Sequence, residues 1–151
     1  MAGAFDTRIE VDDRLTAPLK RLRDAGGDMS APFAEISEAV LGHTLERYKR
    51  EVGPDGVPWK RRKNDRDASR PVLWLHGDLY NSLERDSGAD FAAVGVLGLG
   101  GPARYARRHQ FGDAKMPSRP FLGIEERDLE SVEWIIIEHF QNAADGGGVA
   151  A

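Results

Sequence analysis

Residues 105–124 read YARRHQFGDAKMPSRPFLGI, which predicts a short helical turn, a polar loop and a rigid extended turn. Gly112 ends the helical turn, and Pro120 forbids helix and pushes the arginine before it toward extended geometry. Phe111 and Phe121 flank the loop and are large enough to bury most of their surface, whereas the basic residues around them cannot be buried unpaired. We therefore expect this stretch to be half core and half interface.

Motifs elsewhere in the chain complete a recognisable order. YA at 105–106, HQFG at 109–112 and RPFLG at 119–123 follow a GPDGVPW turn at 53–59 and an LHGDLYNSL element at 75–83. In this order and spacing they resemble the phage virion morphogenesis family, the tail completion proteins of Mu-like and P2-like tailed phages. The family's versions of the two upstream motifs are Gly-x-Pro-Trp and Leu-x-x-Gly-x-Leu-x-x-Ser-hydrophobic.

The resemblance covers residues 30–142 and departs from the family pattern at two places. The family usually has Thr where this chain has His76, and the insert from Lys60 to Arg70 is unusually basic. The resemblance implies a set of structural signature residues: Trp59, Gly77, Phe111, Gly112, Pro120, Phe121, Leu122 and Gly123.

Length and composition indicate one globular domain spanning residues 1–151. A chain of 151 residues with 40% hydrophobic and 30% charged residues can bury a core without staples. Cysteine is absent, so disulfides and thiolate sites are excluded, which fits assembly in a reducing cytoplasm. We expect neither a signal peptide nor a membrane segment. The net charge of −4 argues against a protein that mainly coats nucleic acid.

Hydrophobic periodicity predicts an α+β fold, with a small, mainly antiparallel sheet packed by a long helix in the N-terminal half and a C-terminal helix. Glu46 is expected to pair with Arg50 on the wet face of the long helix. The closing helix carries an apolar stripe wide enough to imply burial on two sides, against its own sheet and against a neighbouring subunit. The predicted elements are a strand over 5–11, helices over 16–26, 30–52, 103–110 and 125–143, hairpin strands over 82–86 and 90–97 around a turn at 87–89, and a frayed tail over 145–151.

The sequence contains no pattern that requires catalysis, a metal or a cofactor. Its four histidines lack ligand spacing, and Asp65 and Asp67 lie within a basic run that satisfies their charge. The glycines between Gly95 and Gly101 do not match a phosphate loop, and no Gly-x-Ser-x-Gly elbow occurs. We therefore expect a protein that is not an enzyme and binds no cofactor, metal or small-molecule substrate.

A long basic loop between the long helix and the hairpin has two interpretations. Trp59 tethers its start, and no other aromatic residue stands nearby to build a stacking platform for single strands. A solvated or protein-contacting loop is favoured about two to one over a DNA-contacting loop, as charge runs usually are. The candidate DNA- or partner-contacting residues are Lys60, Arg61, Arg62, Lys63, Arg66 and Arg70.

The resemblance implies a virion structural protein at the head-tail junction. Such a protein would complete or cap the tail as a terminator and join it to the head connector, as a homo-oligomeric ring assembled in the host cytoplasm. Its expected partners are tail tube and head-connector proteins, with contact to packaged DNA; the alternative is a nucleic-acid-binding module that uses the basic loop. Candidate subunit or partner contacts are Arg104, Tyr105, Arg108, His109, Gln110 and Arg119.

Overall fold

The structure, a computed structural model, describes residues 28–63, 69–74, 77–96 and 101–146. The strand expected over 5–11, the helix expected over 16–26 and residues 147–151 lie outside these ranges. The elements are α1 (Ser30–Arg50), α2 (Asp78–Asn81), β1 (Leu83–Ser87), β2 (Ala92–Val96), α3 (Gly101–Phe111) and α4 (Glu126–Gly146). The predicted α+β class is confirmed.

Helix α1 is the central element, because the hairpin and α4 both pack against it. It buries Phe33, Ile36 and Val40 at three- and four-residue spacing, and Tyr48 two turns further on. It ends at Arg50, two residues before the predicted Val52. The backbone of Glu51 is left-handed, with a φ of 57°, so the helix ends before Gly53 and Pro54.

The predicted hairpin is confirmed, but its turn begins one residue later and ends two residues later than expected. Strands β1 and β2 pair antiparallel with Leu83 opposite Val96 and Ser87 opposite Ala92. The Gly88 amide donates to the Phe91 carbonyl at 2.9 Å, which closes the turn. A Cβ on Gly88 would lie 2.5 Å from the Phe91 ring, so a larger residue there would have to displace this ring.

Helix α4 runs antiparallel to α1 and extends to Gly146, beyond the predicted end at 143. Its first turn lies near the C-terminal end of α1, where Asp128 contacts His43. Further along α4, Val132 and Ile135 join a hydrophobic cluster with Phe33 near the start of α1. One side of α4 is therefore buried, chiefly against α1 and not against the sheet as expected; burial of a second side against a neighbouring subunit stays a prediction.

The core is divided into two clusters at opposite ends of α1. The first holds Met29, Phe33, Ile36 and Val40 with the inner face of α4. The second surrounds Tyr48, whose ring packs edge-on against Trp59 with centroids 5.1 Å apart. Burial raises the pKa of the Tyr48 hydroxyl well above its usual range, and this hydroxyl donates to the Leu73 carbonyl at 3.0 Å. Helix α3 contributes Ala106 to this second cluster. Residues 119–123, here called the signature turn, contribute Phe121 and Leu122.

Candidate assembly surfaces

Helix α3 presents one basic face to solvent. Arg104, Arg107, Arg108 and Phe111 are exposed and follow the i, i+3, i+4, i+7 spacing of a single helical stripe, here called the α3 stripe. Phe111 is 60% exposed, so the prediction that it buries most of its surface is wrong. The opposite face carries the buried Ala106, which packs into the Tyr48 cluster.

Gly112 ends α3 as predicted. Its φ of 71° is left-handed, and its amide donates to the Arg108 carbonyl at 2.7 Å. A Cβ at this position would lie 2.6 Å from the Ser118 nitrogen, so no other residue fits. The Asp113 carboxylate then accepts hydrogen bonds from the Lys115 and Met116 amides, and the Lys115 bond is the main reason that the pKa of Asp113 lies below its ordinary value.

Gln110 holds the signature turn against α3. Its Oε1 accepts hydrogen bonds from the amides of Phe121 at 3.0 Å and Leu122 at 2.9 Å. Its Nε2 donates to the Leu122 carbonyl at 2.8 Å. One amide side chain thus satisfies three backbone groups that a proline-containing turn cannot pair in a sheet or helix.

The turn at 53–59 meets the signature turn in space, although some 60 residues separate them in sequence. The Trp59 indole donates to the Pro120 carbonyl at 2.8 Å, and Trp59 is buried as the predicted tether. A Cβ on Gly123 would lie 2.3 Å from the Pro54 ring, so this contact requires glycine at 123. Phe121 is only 1% exposed and fills the space between these segments.

Arg119 is buried inside the subunit. It is 5% exposed, and its Nε donates to the Lys60 carbonyl at 2.6 Å while Nη2 donates to the Arg61 carbonyl at 3.3 Å. Burial, with the nearby charge of Arg62, lowers the pKa of its guanidinium. Arg119, predicted as a subunit or partner contact, therefore makes its hydrogen bonds to backbone carbonyls of its own chain.

The remaining predicted contact residues differ in exposure. Arg104 and Arg108 are exposed, whereas Tyr105, His109 and Gln110 are half-buried. His109 packs edge-on against Tyr105, and burial, followed by the charge of Arg119, lowers its pKa. Arg104 and Arg108 thus face solvent, with Arg108 Nε 3.6 Å from Asp113 Oδ2, whereas Gln110 makes its hydrogen bonds within the fold.

The basic loop is anchored at its start. Arg61 pairs with Glu51 at 3.3 Å, and Arg62 donates to the Arg70 carbonyl at 3.2 Å. The side chains of Lys60, Lys63 and Arg70 are exposed. Arg66 lies outside the described residues, as does the His76 departure.

A buried ion cluster joins α1 to the start of α4, and no sequence motif predicts it. Asp128 is fully buried, with Oδ1 2.6 Å from His43 Nδ1 and Oδ2 3.4 Å from Arg47 Nη1. Arg47 also pairs with Glu125 at 3.2 Å and donates to the Gly123 carbonyl at 2.9 Å. Asp128 Oδ2 also accepts the Glu125 amide at 2.9 Å and so pairs a backbone group at the start of α4.

This cluster brings potential metal ligands together. One ligand atom each from His43, Glu125 and Asp128 lie within 4.8 Å of one another. Arg47, however, contacts both carboxylates, and Arg127 also pairs with Glu125 at 3.1 Å, so two guanidinium groups already supply the positive charge that a cation would bring. The arrangement fits a charge-balanced structural link between two helices. The predicted pair of Glu46 with Arg50 is wrong, because Glu46 instead pairs with Arg127 of α4 at 2.9 Å.

Helix α4 exposes a second, apolar face. Trp134 is 61% exposed, Ile137 48% and Phe140 39%. Together with the exposed Glu130 and Glu133 they occupy the side of the helix opposite Val132 and Ile135, and are here called the α4 outer stripe. None of the described helices is long and apolar enough to cross a bilayer.

Comparison with known proteins identifies the class of this chain. The model of the phage virion morphogenesis family matches residues 11–141, and the chain therefore belongs to that family. The resemblance found in the motifs is confirmed.

Individual relatives are similar along most of their length. The putative capsid assembly protein G of Escherichia phage Mu is 28% identical over 147 residues, covering 85% of this chain and 90% of the relative. The tail completion protein S of Escherichia phage P2 is 26% identical over 145 residues, covering 86% and 95%. No solved structure matches the chain significantly.

Proposed function

We propose that this protein completes the tail of a tailed phage and joins it to the head connector, acting at the head-tail junction of the virion. The observation that carries the proposal is the family match over residues 11–141, together with the similarity to a tail completion protein along almost the whole of that relative. The partners under this proposal are tail tube and head-connector proteins.

The protein acts in this proposal by association and not by catalysis. The His43 cluster joins two helices through ion pairs, and Arg47 engages both of its carboxylates. A general acid or base needs a group free to exchange a proton with a substrate, and Asp128 is fully buried among internal partners. Residues with these contacts support a rigid subunit.

A junction protein around an axial channel requires a closed ring, and a ring requires two different, complementary surfaces on each subunit. The α3 stripe supplies one candidate surface, since Arg104, Arg107 and Arg108 are exposed beside Phe111. Arginine and aromatic residues are the types enriched where protein surfaces meet. The contacts of Gln110 and Arg119 fix the position of this helix and act on the surface only indirectly.

Deletion of the gene from a phage that carries it, followed by complementation, tests the proposal. Heads filled with DNA and unattached tails should accumulate in the deletion lysate, visible by electron microscopy, and purified protein added to that lysate should restore plaque formation. A deletion phage that yields normal, infectious virions would refute the function. A deletion that blocks head formation instead would place the protein at an earlier step and contradict the junction role.

A further inference from the structure

The α4 outer stripe is an apolar surface with an acidic border. Trp134, Ile137 and Phe140 are exposed along about two turns of helix, which is unusual for a surface that stays in water. Glu130 and Glu133 flank them and make no ion pair with any other described residue. Removing this surface from water is favourable in free energy only when a partner covers the aromatic rings and also pairs with the negative charges.

The α3 stripe has the opposite character. Three arginines lie along it with one exposed phenylalanine at the end. Arg104 and Arg107 pair with no group in the described part of the chain, and Arg108 is only 3.6 Å from the exposed Asp113. Arginine side chains stack on aromatic faces and bind carboxylates through two parallel hydrogen bonds, so this stripe matches both features of the α4 outer stripe.

The two apolar clusters on which these helices pack lie toward opposite ends of α1, although α4 begins near its C-terminal end. Helix α3 packs in the Tyr48 cluster near the C-terminal end of α1, whereas Val132 and Ile135, on the inner side of α4, pack near Phe33 at its N-terminal end. Helix α1 has 21 residues and is therefore about 30 Å long. Neither Glu130 nor Glu133 forms an ion pair with an arginine of the α3 stripe in the described part of the chain, so the two stripes do not neutralise each other within one subunit.

We infer that the α4 outer stripe of one copy docks on the α3 stripe of the next copy, forming a head-to-tail contact between identical chains. The inference rests on the proposed function, because it names the second surface that a closed ring needs. Glu130 and Glu133 bind the arginines of the neighbour, and Trp134 stacks on an arginine or on Phe111. A contact between two different surfaces propagates from copy to copy, whereas an isologous contact stops at a dimer.

Charge reversal with mutual rescue tests the contact. One variant carries Arg104→Glu and Arg107→Glu, a second carries Glu130→Arg and Glu133→Arg, and a third carries all four changes. All four positions are exposed, so each variant should fold, which circular dichroism checks. Complementation of the deletion phage should fall about a hundredfold with either pair alone, because like charges then face each other, and should recover when both pairs are combined.

Each outcome of this experiment decides something. Two single-pair variants that complement like the wild type would contradict the contact while leaving the proposed function intact. A loss with either pair that the combined variant does not reverse would also contradict it; if the first variant has lost binding to double-stranded DNA, the α3 stripe contacts phosphates instead. Failure of the wild-type protein to complement would refute the proposed function itself.

Cross-linking gives an independent reading, because the chain has no cysteine of its own. The variant Phe111→Cys with Ile137→Cys, assembled on phage tails and mildly oxidised, should give a ladder of disulfide-linked chains. Each single-cysteine variant should give no such ladder. The matched control is Phe91→Cys with Ile137→Cys, since Phe91 is exposed on the hairpin at 43%. Strong dimer bands from Ile137→Cys alone would show that α4 meets α4 and would overturn the head-to-tail contact.

Discussion

At the scale of single residues, the signature turn is held by polar side chains that serve backbone groups. Gln110 satisfies three of them and Arg119 two, while Trp59 donates to the Pro120 carbonyl. A turn that contains proline cannot pair all of its backbone groups in regular structure, so the side chains do this instead. The fixed spacing of these motif residues therefore reflects the hydrogen bonds that their side chains make to backbone groups.

Arg119→Ala should destabilise the subunit. The substitution leaves the carbonyls of Lys60 and Arg61 without this donor in a partly buried site, at a cost of about 1–3 kcal/mol in the free energy of unfolding. Urea denaturation followed by circular dichroism measures it. The control Arg107→Ala removes an exposed arginine and should change stability by no more than about 0.5 kcal/mol. Equal stability of Arg119→Ala and wild type would show that the buried contacts are dispensable.

His109 should make stability fall in mild acid. Burial lowers its pKa from the ordinary value of 6.5, so the unfolded chain binds a proton at a higher pH than the folded one. The free energy of unfolding therefore decreases as pH drops below 6.5 toward the folded pKa. His109→Gln removes the titrating group, and denaturation at a series of pH values should show a shallower decline than in the wild type. An identical decline in both proteins would exclude His109 as the cause.

At the scale of elements, α1 and α4 are joined by the ion cluster as well as by apolar packing. Asp128→Ala should cost about 3–5 kcal/mol, because Arg47 loses one of its carboxylates in a buried site. The control Glu130→Ala lies on the same helix, is exposed and should be nearly neutral. Thermal and urea unfolding provide the comparison. A change below about 1 kcal/mol would mean that the cluster adds little beyond packing.

The basic loop should matter to assembly more than to folding. Its described contacts with Arg119 use the carbonyls of Lys60 and Arg61, which remain after substitution, and the Arg61 to Glu51 pair is exposed. Replacing Lys60, Arg61, Arg62, Lys63, Arg66 and Arg70 with serine should leave the melting temperature within a few degrees of the wild type while weakening tail joining or DNA retention. A large fall in the melting temperature would place the basic side chains among the stabilising contacts.

Much of this architecture could be predicted from local patterns. The spacing of Phe33, Ile36 and Val40 predicts α1, and alternation with a glycine turn predicts the hairpin. The burial of Arg119 could not be predicted, because its partners are backbone carbonyls 58 and 59 residues away. The Asp128 cluster was missed for the same reason, since His43 lies 85 residues from its partner and the two meet only once the helices pack. The predicted burial of Phe111 was wrong because the size of its side chain suggests burial, whereas its position on the solvent-facing side of α3 leaves it exposed.

At the scale of the whole molecule, the subunit exposes two stripes that are complementary in charge. Its described core consists of two apolar clusters and internal polar links, and both stripes are exposed in the isolated chain. The family to which it belongs assembles phage virions.

Immunogold labelling of purified virions tests this account most directly, by locating the protein relative to the head and the tail. Antibodies against the purified chain should place gold particles at the junction between head and tail, and at one end of tails that have not yet joined heads. Gold along the whole tail, at the distal tip, or nowhere on virions that were opened to expose the junction would contradict the central claim.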